Sequence, residues 1–185
     1  TLDYLSIIVA IIGISIPSFV VASLLQYVFA ILFPIFPVAR YTSFVHTILP
    51  TISLALPTIA RFSRFMRTSM LEVIDSDFVK TARSKGLKKR QILFSHEIRN
   101  SLLPLLSILG PTTASLLMGS FVVESIFAVP GLGNYFVESI NTQDYSLIMG
   151  LTIFYGIFLV TMNFVIDILY GVVDPRVRLG GNRNG

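Results

Sequence analysis

The sequence predicts an all-α, polytopic helical membrane protein with four transmembrane helices in a single domain spanning residues 1–185. Three observations carry that prediction. Hydrophobic residues make up 54% of the chain and charged residues only 13%, with a mean hydropathy of +0.78, whereas soluble domains carry roughly 25% charged residues. No Asp, Glu, Lys or Arg stands between Asp3 and Arg40, Arg40 and Arg61, Arg99 and Glu124, or Asp144 and Asp167. Each of these runs reaches the length of about 20 residues that a helix needs to cross the hydrocarbon core. Finally, every Lys and Arg except Arg40 falls either between Arg61 and Arg99 or in the C-terminal tail.

The first span is expected over about residues 4–33. Gly13 and Pro17 lie inside it and predict a kink near Ile16, because proline removes a backbone donor and clashes with the preceding turn. Pro34 and Pro37 end it, and Pro34–Thr47 reads as an extramembrane loop. The second span covers about 48–70, with Pro50 in its first turn and a bend expected at Pro57. Arg61, Arg64 and Arg67 recur on one broad side at its far end. They suit snorkelling to phosphate headgroups, or the mouth of a pathway.

A polar loop over residues 72–100 follows. The third span is expected over 102–123, with small residues Gly110, Ala114, Ser115 and Gly119 suited to close helix contact. Glu124–Ser146 is the next connection and has Pro130-Gly131-Leu132-Gly133 at its centre. The fourth span covers about 147–172, and residues 174–185 form a tail containing Asp174-Pro175-Arg176-Val177-Arg178. With four spans, the basic loop and the tail share a side. Basic residues resist translocation, so that side is expected to be the cytoplasm.

Several chemistries are disfavoured. The basic balance is explained by loop charge, so no nucleic-acid partner is expected. No cysteine is present, which excludes disulfides and thiolate metal sites. His96-Glu97 opens a zinc-hydrolase pattern, but Asn100 stands where its second histidine belongs, and His46 is expected across the membrane. Gly131-x-Gly133 lacks the Gly-Lys-Ser/Thr ending of a phosphate loop and reads as a turn. Glu124 and Asp167 fall near span ends. There an acid can cap a helix or sit at the interface, or it can mark an ion path. No catalytic residues, bound cofactor or metal are expected. The chain opens Thr-Leu-Asp, without Met, and reads as a piece of a longer protein.

The loop itself has local order. Asp75, Ser76 and Asp77 suit a helix N-terminus. Phe78, Val79 and Ala82 make a small apolar face, with Lys80, Arg83 and Lys85 pointing mostly elsewhere. Gly86 suits the left-handed turn that ends a helix. A second polar helix from Lys88 to about Asn100 leads to Pro104. Pattern alone leaves three readings open: a solvated positive-inside loop, a helix lying in lipid headgroups, or a docking element for another protein.

Lys80-Thr81-Ala82-Arg83-Ser84-Lys85-Gly86 resembles the cytoplasmic signature of permease subunits of bacterial ATP-binding cassette importers. Ala82 and Gly86 fit the general Glu-Ala-Ala…Gly form in register, while Lys80 and Thr81 depart from it. In its later Ile-x-Leu-Pro part only Ile98 keeps its type. The oligopeptide, dipeptide and nickel branch fits much better. Phe78, Thr81, Ala82, Arg83, Lys85, Gly86, Leu87, His96, Arg99, Asn100, Leu102, Leu103 and Pro104 all match its pattern. So do Glu124-Ser125-Ile126-Phe127, Pro130-Gly131-Leu132-Gly133, Asp144-Tyr145, Asp167-Ile168-Leu169-Tyr170 and the Asp174–Arg178 ending, which resemble the B-type subunit more than the C-type.

This resemblance implies a type I importer permease fold of six spans, of which the chain resembles the last four, in a bacterial inner or plasma membrane. A second, C-type permease would complete the pathway. Two ATPase subunits would bind ATP and Mg²⁺, and an extracytoplasmic binding protein would deliver substrate. Asp77, Phe78, Val79, Lys80, Thr81, Ala82, Arg83, Ser84, Lys85 and Gly86 would form the helix that docks in an ATPase groove. Phe78, Val79 and Ala82 would enter that groove, and Lys80, Arg83 and Lys85 would meet its acidic rim or the membrane. His96, Arg99 and Asn100 would support the loop. Glu124, Pro130, Gly131 and Gly133 would belong to an outer gate loop. The cargo would be oligopeptides or dipeptides, with nickel complexes as the alternative. An ion-driven secondary transporter is a further alternative, though the chain's acids lie near span ends rather than at mid-membrane. An intramembrane enzyme is disfavoured by the missing ligand set.

Overall fold

The computed structural model describes residues 11–173, so the start of the first expected span and the C-terminal tail lie outside the described residues. Among the described residues the secondary structure is entirely helical. Three of the described helices are long and apolar enough to cross a membrane, Phe44–Ile74, Lys89–Met118 and Tyr145–Val172, with a shorter apolar helix at Ser18–Leu32. The chain divides into two compact units, Thr1–Arg61 with Ala114–Phe158, and Phe62–Thr113 with Leu159–Gly185.

The first unit is built around a bent apolar helix. Residues 11–15 are helical, the helix breaks at Ile16 and Pro17, and α1 (Ser18–Gln26) resumes beyond. The break falls where proline requires it: Pro17 takes φ −59° and ψ 144°, an extended conformation. A π-type turn, Tyr27–Leu32, extends α1 until Phe33 leaves helical geometry before Pro34. A 3₁₀ turn, Phe44–Thr47, then leads into α2 (Ile48–Ile74). Pro57 inside α2 cannot donate to the Ser53 carbonyl. The buried Ser53 hydroxyl donates to the Leu49 carbonyl at 2.8 Å, so its own polarity is satisfied within the helix. At Gly13 an added Cβ would come within 2.7 Å of the Ala60 Cβ, so the chain before the break lies tightly on α2.

The second unit contains the polar loop. It comprises α3 (Asp77–Ser84), a turn, and α4 (Lys89–Ile92), which runs through a π-type turn (Leu93–Ile98) into α5 (Arg99–Met118). The helix expected over 102–123 is thus different at both ends. It begins earlier because nothing in Lys89–Asn100 breaks it. It ends earlier because Gly119, at φ +77°, turns the chain. Within this unit α5 meets the last helix closely, since a Cβ at Gly110 would lie 2.5 Å from the Asn163 Oδ1. The expected small-residue contact is found at that position, where a side chain would have to displace the Asn163 amide.

Three further helices follow among the described residues. α6 (Phe121–Phe127) is capped by Ser120, whose hydroxyl accepts from the Val123 N–H at 3.5 Å. α7 (Leu132–Asn141) follows a tight turn. α8 (Tyr145–Val173) starts at Asp144, whose carboxylate accepts from the Leu147 N–H at 3.0 Å. In the first unit α6 buries Val123 and Phe127 against Ala22, Ala30 and Leu49. Gln26 joins two segments there, its amide donating to the carbonyls of Val38 at 2.8 Å and Ile126 at 2.9 Å.

Candidate functional site

The polar loop is organised by α3. Its N-terminus follows Ser76, which is extended at ψ 152°. The Ser76 hydroxyl does not cap α3. It turns back and donates to the Val73 carbonyl at 2.5 Å. Asp77 supplies negative charge in the first turn, where the helix dipole favours it, and pairs with Lys80 at 3.0 Å. Both side chains are largely exposed, so the pair adds little to stability.

The C-terminus of α3 is closed by a Schellman arrangement. The Gly86 N–H donates to the Arg83 carbonyl at 3.0 Å, and the Leu87 N–H donates to the Ala82 carbonyl at 3.4 Å. Gly86 has φ +74°, as a residue in this position needs, and an added Cβ would meet nothing within 4 Å. Backbone strain, not crowding, is therefore what favours glycine there. Leu87 packs on the same cluster as Ala82, supplying the apolar contact that accompanies this cap.

The faces of α3 differ from the expected assignment. Val79 and Ala82 are buried at 0% and 5% exposure against Ile92, with Val73 and Leu87 packed around them. These two side chains are held inside their own chain and are not free to enter a partner's groove. Phe78 remains 46% exposed, and Asp77, Lys80, Thr81, Ser84 and Lys85 are exposed with it. The outward surface is a polar face with one aromatic on its flank. Arg83 also differs from expectation. Its guanidinium donates to the Glu97 carboxylate at 3.2 Å, across a span in which Glu97 is buried.

The residues expected to support the loop lie in the π-type turn and just after it. The Asn100 side-chain amide donates to the His96 carbonyl at 2.6 Å, tying the turn into α5. Arg99 is exposed in the first turn of α5. Glu97 and Ser101 were not singled out as loop supports from the sequence, yet they are central. The buried Ser101 hydroxyl donates to the Glu97 carbonyl at 2.7 Å. Glu97 stood out in the sequence only as part of an incomplete zinc pattern. The available signal is an acid at helical spacing from Leu93 and Phe94 in the same expected helix. Among the described residues no group of three His, Asp or Glu side chains converges as a metal site would require.

Glu124, Pro130, Gly131 and Gly133 are brought together in the first unit. The Glu124 carboxylate accepts from the Asn134 N–H at 2.7 Å. Asn134 is the third residue of α7, and Gly131 is the residue before its first turn, so Glu124 caps α7 from another helix. Of the roles open to Glu124, capping is the one the geometry displays. Cβ atoms added at Gly119 or Gly131 would collide with this carboxylate, and one at Gly133 would lie 2.9 Å from the Phe121 nitrogen. The glycines therefore make space for an acid and a close backbone, and Pro130 continues the turn before them. A cleft beside this cap is lined by Thr51, Leu54, Leu116, Glu124, Leu132 and Tyr135.

A helical membrane protein with a short capped helix set on its polar loop is what the fold and site define. The chain belongs to the family described as binding-protein-dependent transport system inner membrane component, which matches residues 1–179. It is 48% identical over 178 residues to the dipeptide transport system permease protein DppB of Bacillus subtilis, covering 96% of this chain and 58% of that protein. It is 42% identical over 170 residues to the dipeptide transport system permease protein DppB of Lactococcus lactis, covering 92% of this chain and 56% of the relative. The oligopeptide transport system permease protein OppB of Salmonella typhimurium is 43% identical over 178 residues, with 95% and 58% covered. The chain thus spans under two thirds of the length of these relatives. Membership in an inner-membrane family and the apolar helices give a membrane location.

Proposed function

We propose that this chain is part of a permease subunit that imports dipeptides or oligopeptides through a membrane, driven by ATPase subunits that it contacts through α3. The observation that carries this reading is α3 itself. It is a short helix on a polar loop, anchored inward by Val79 and Ala82 and presenting Phe78, Thr81 and Ser84 outward. Such a helix is built to be pushed on. A second permease subunit would complete the pathway, and a binding protein would deliver substrate from the opposite side. ATP and Mg²⁺ would be held by the ATPases, with this chain supplying none of their ligands. The loop and the tail would lie in the cytoplasm, since every Lys and Arg but Arg40 falls between Arg61 and Arg99 or in the tail. Glu124 and its glycines would shape the outer end of the pathway. Relatives named for dipeptide and oligopeptide transport favour peptides over nickel complexes as cargo.

The test is purification of the full-length subunit with its associated proteins, followed by ATP hydrolysis with candidate solutes. Short peptides presented with the binding protein should stimulate hydrolysis, and nickel chelates should not. Stimulation by nickel complexes alone, or an assembly that takes up solute without any ATPase, would contradict the reading.

A further inference from the structure

We propose that Arg83 and Glu97 are positioning residues for coupling: their ion pair fixes the rotation of α3 and passes a push on its outward face to α5. This rests on the docking reading above and adds to it the route by which motion leaves the helix.

α3 has eight residues and meets its neighbours through only a few apolar side chains, Val79, Ala82, Ile92, Val73 and Leu87. Burial of Val79 and Ala82 sets which face of α3 turns inward, but apolar contact is not directional and leaves small rotations about the helix axis cheap. A charge-assisted hydrogen bond is directional and stronger. Arg83 stands one residue beyond the buried Ala82 and four beyond the buried Val79, so it flanks the inward face. From there it reaches Glu97 at 3.2 Å. The Arg83 side chain is 53% exposed and that of Glu97 11%, so the acid is the member committed to the interior. A buried carboxylate needs a partner, and Arg83 provides it.

The position of Glu97 gives the pair its consequence. It lies in the π-type turn Leu93–Ile98, which runs without a break into α5. Irregular turns of this kind often occur at functional sites. The Ser101 bond to the Glu97 carbonyl fastens the same residue to the first turn of α5. A force on Phe78, Thr81 or Ser84 would therefore reach α5 through a short chain: the α3 backbone, Arg83, Glu97 and Ser101.

The experiment uses the complete transporter, with its ATPases and binding protein, reconstituted in vesicles. Arg83→Gln, Glu97→Gln and the reversed pair Arg83→Glu with Glu97→Arg are compared with the unmodified assembly. Three quantities are read: ATPase subunits retained, melting temperature, and peptide transported per ATP hydrolysed. Each single variant is expected to keep its ATPases yet lose at least about fivefold in transport per ATP, a loss the size of an ordinary coupling energy between contacting residues. The reversed pair should recover most of that loss. Arg83→Lys should recover part of it, which keeps the test open if the reversed pair does not fit. Unchanged transport per ATP in the single variants would overturn the proposal. So would a loss that tracks melting temperature alone, or one that neither the reversed pair nor Arg83→Lys repairs. Absence of ATPases from the unmodified assembly would instead overturn the docking reading on which the proposal stands.

Discussion

Gly86 and Glu124 show how single residues set the two sites. Gly86 holds φ +74° with open space around its Cα, so substitutions there are sorted by backbone preference and not by size. Gly86→Val should cost more than about 1 kcal/mol, because a β-branched residue is an outlier at positive φ. Gly86→Asn should cost less, since asparagine visits that region most readily. Thermal unfolding of the two variants, with recovery of bound ATPase, checks the order. Glu124 depends on its surroundings in the opposite way. A Cβ at Gly119 or Gly131 would strike its carboxylate where that now stands, and Gly119 is also held at φ +77°. Glu124→Ala should weaken α7 by about 1 kcal/mol, the usual worth of a helix cap. Hydrogen exchange at the Asn134 amide should rise about fivefold for that loss. Unchanged protection would show that the cap carries no stability.

At the scale of the element, α3 is a helix whose inward face belongs to its own chain. Truncation of the fully buried Val79 to alanine should destabilise the loop by about 2 kcal/mol. Phe78→Ala should leave stability almost unchanged, since that ring is 46% exposed. Limited proteolysis of the loop separates the two. Much of this element could be read from the sequence. The cap at Gly86 was legible because positive φ selects glycine, and the helix limits followed from Asp77 and Gly86. The apolar pattern of Phe78, Val79 and Ala82 was legible as a pattern. Which body it packs against was not, because periodicity marks an apolar face without naming its neighbour. Arg83 and Glu97 are 14 residues apart, with a turn between them, and only the folded loop brings them together. The turn at Gly119 is not legible in the sequence, where its spacing with Gly110, Ala114 and Ser115 suits helix packing. A lone glycine near a helix end fits either role, and the carboxylate beside it could not be seen.

For the whole molecule, the bounds of the long helices fall at residues whose chemistry explains them once the structure is known. Pro17 breaks the first apolar helix, Gly119 ends α5, and Asp144 starts α8. Positive φ at Arg40, Ala128 and Gln143 carries no such signature, since none of these is glycine. The Arg40 N–H donates to the Phe127 carbonyl at 2.9 Å, so a tertiary bond sustains that unusual backbone. The central claim concerns the complete assembly: α3 meets an ATPase with its exposed face and its own chain with its buried one. Single cysteines placed from Asp77 to Gly86, crosslinked to cysteines in the ATPase groove of the assembled transporter, test it most directly. Positions 78, 81 and 84 should crosslink, and 79 and 82 should stay silent. Crosslinks at 79 and 82 with none at 78, 81 and 84, or no crosslink anywhere in the helix, would contradict it.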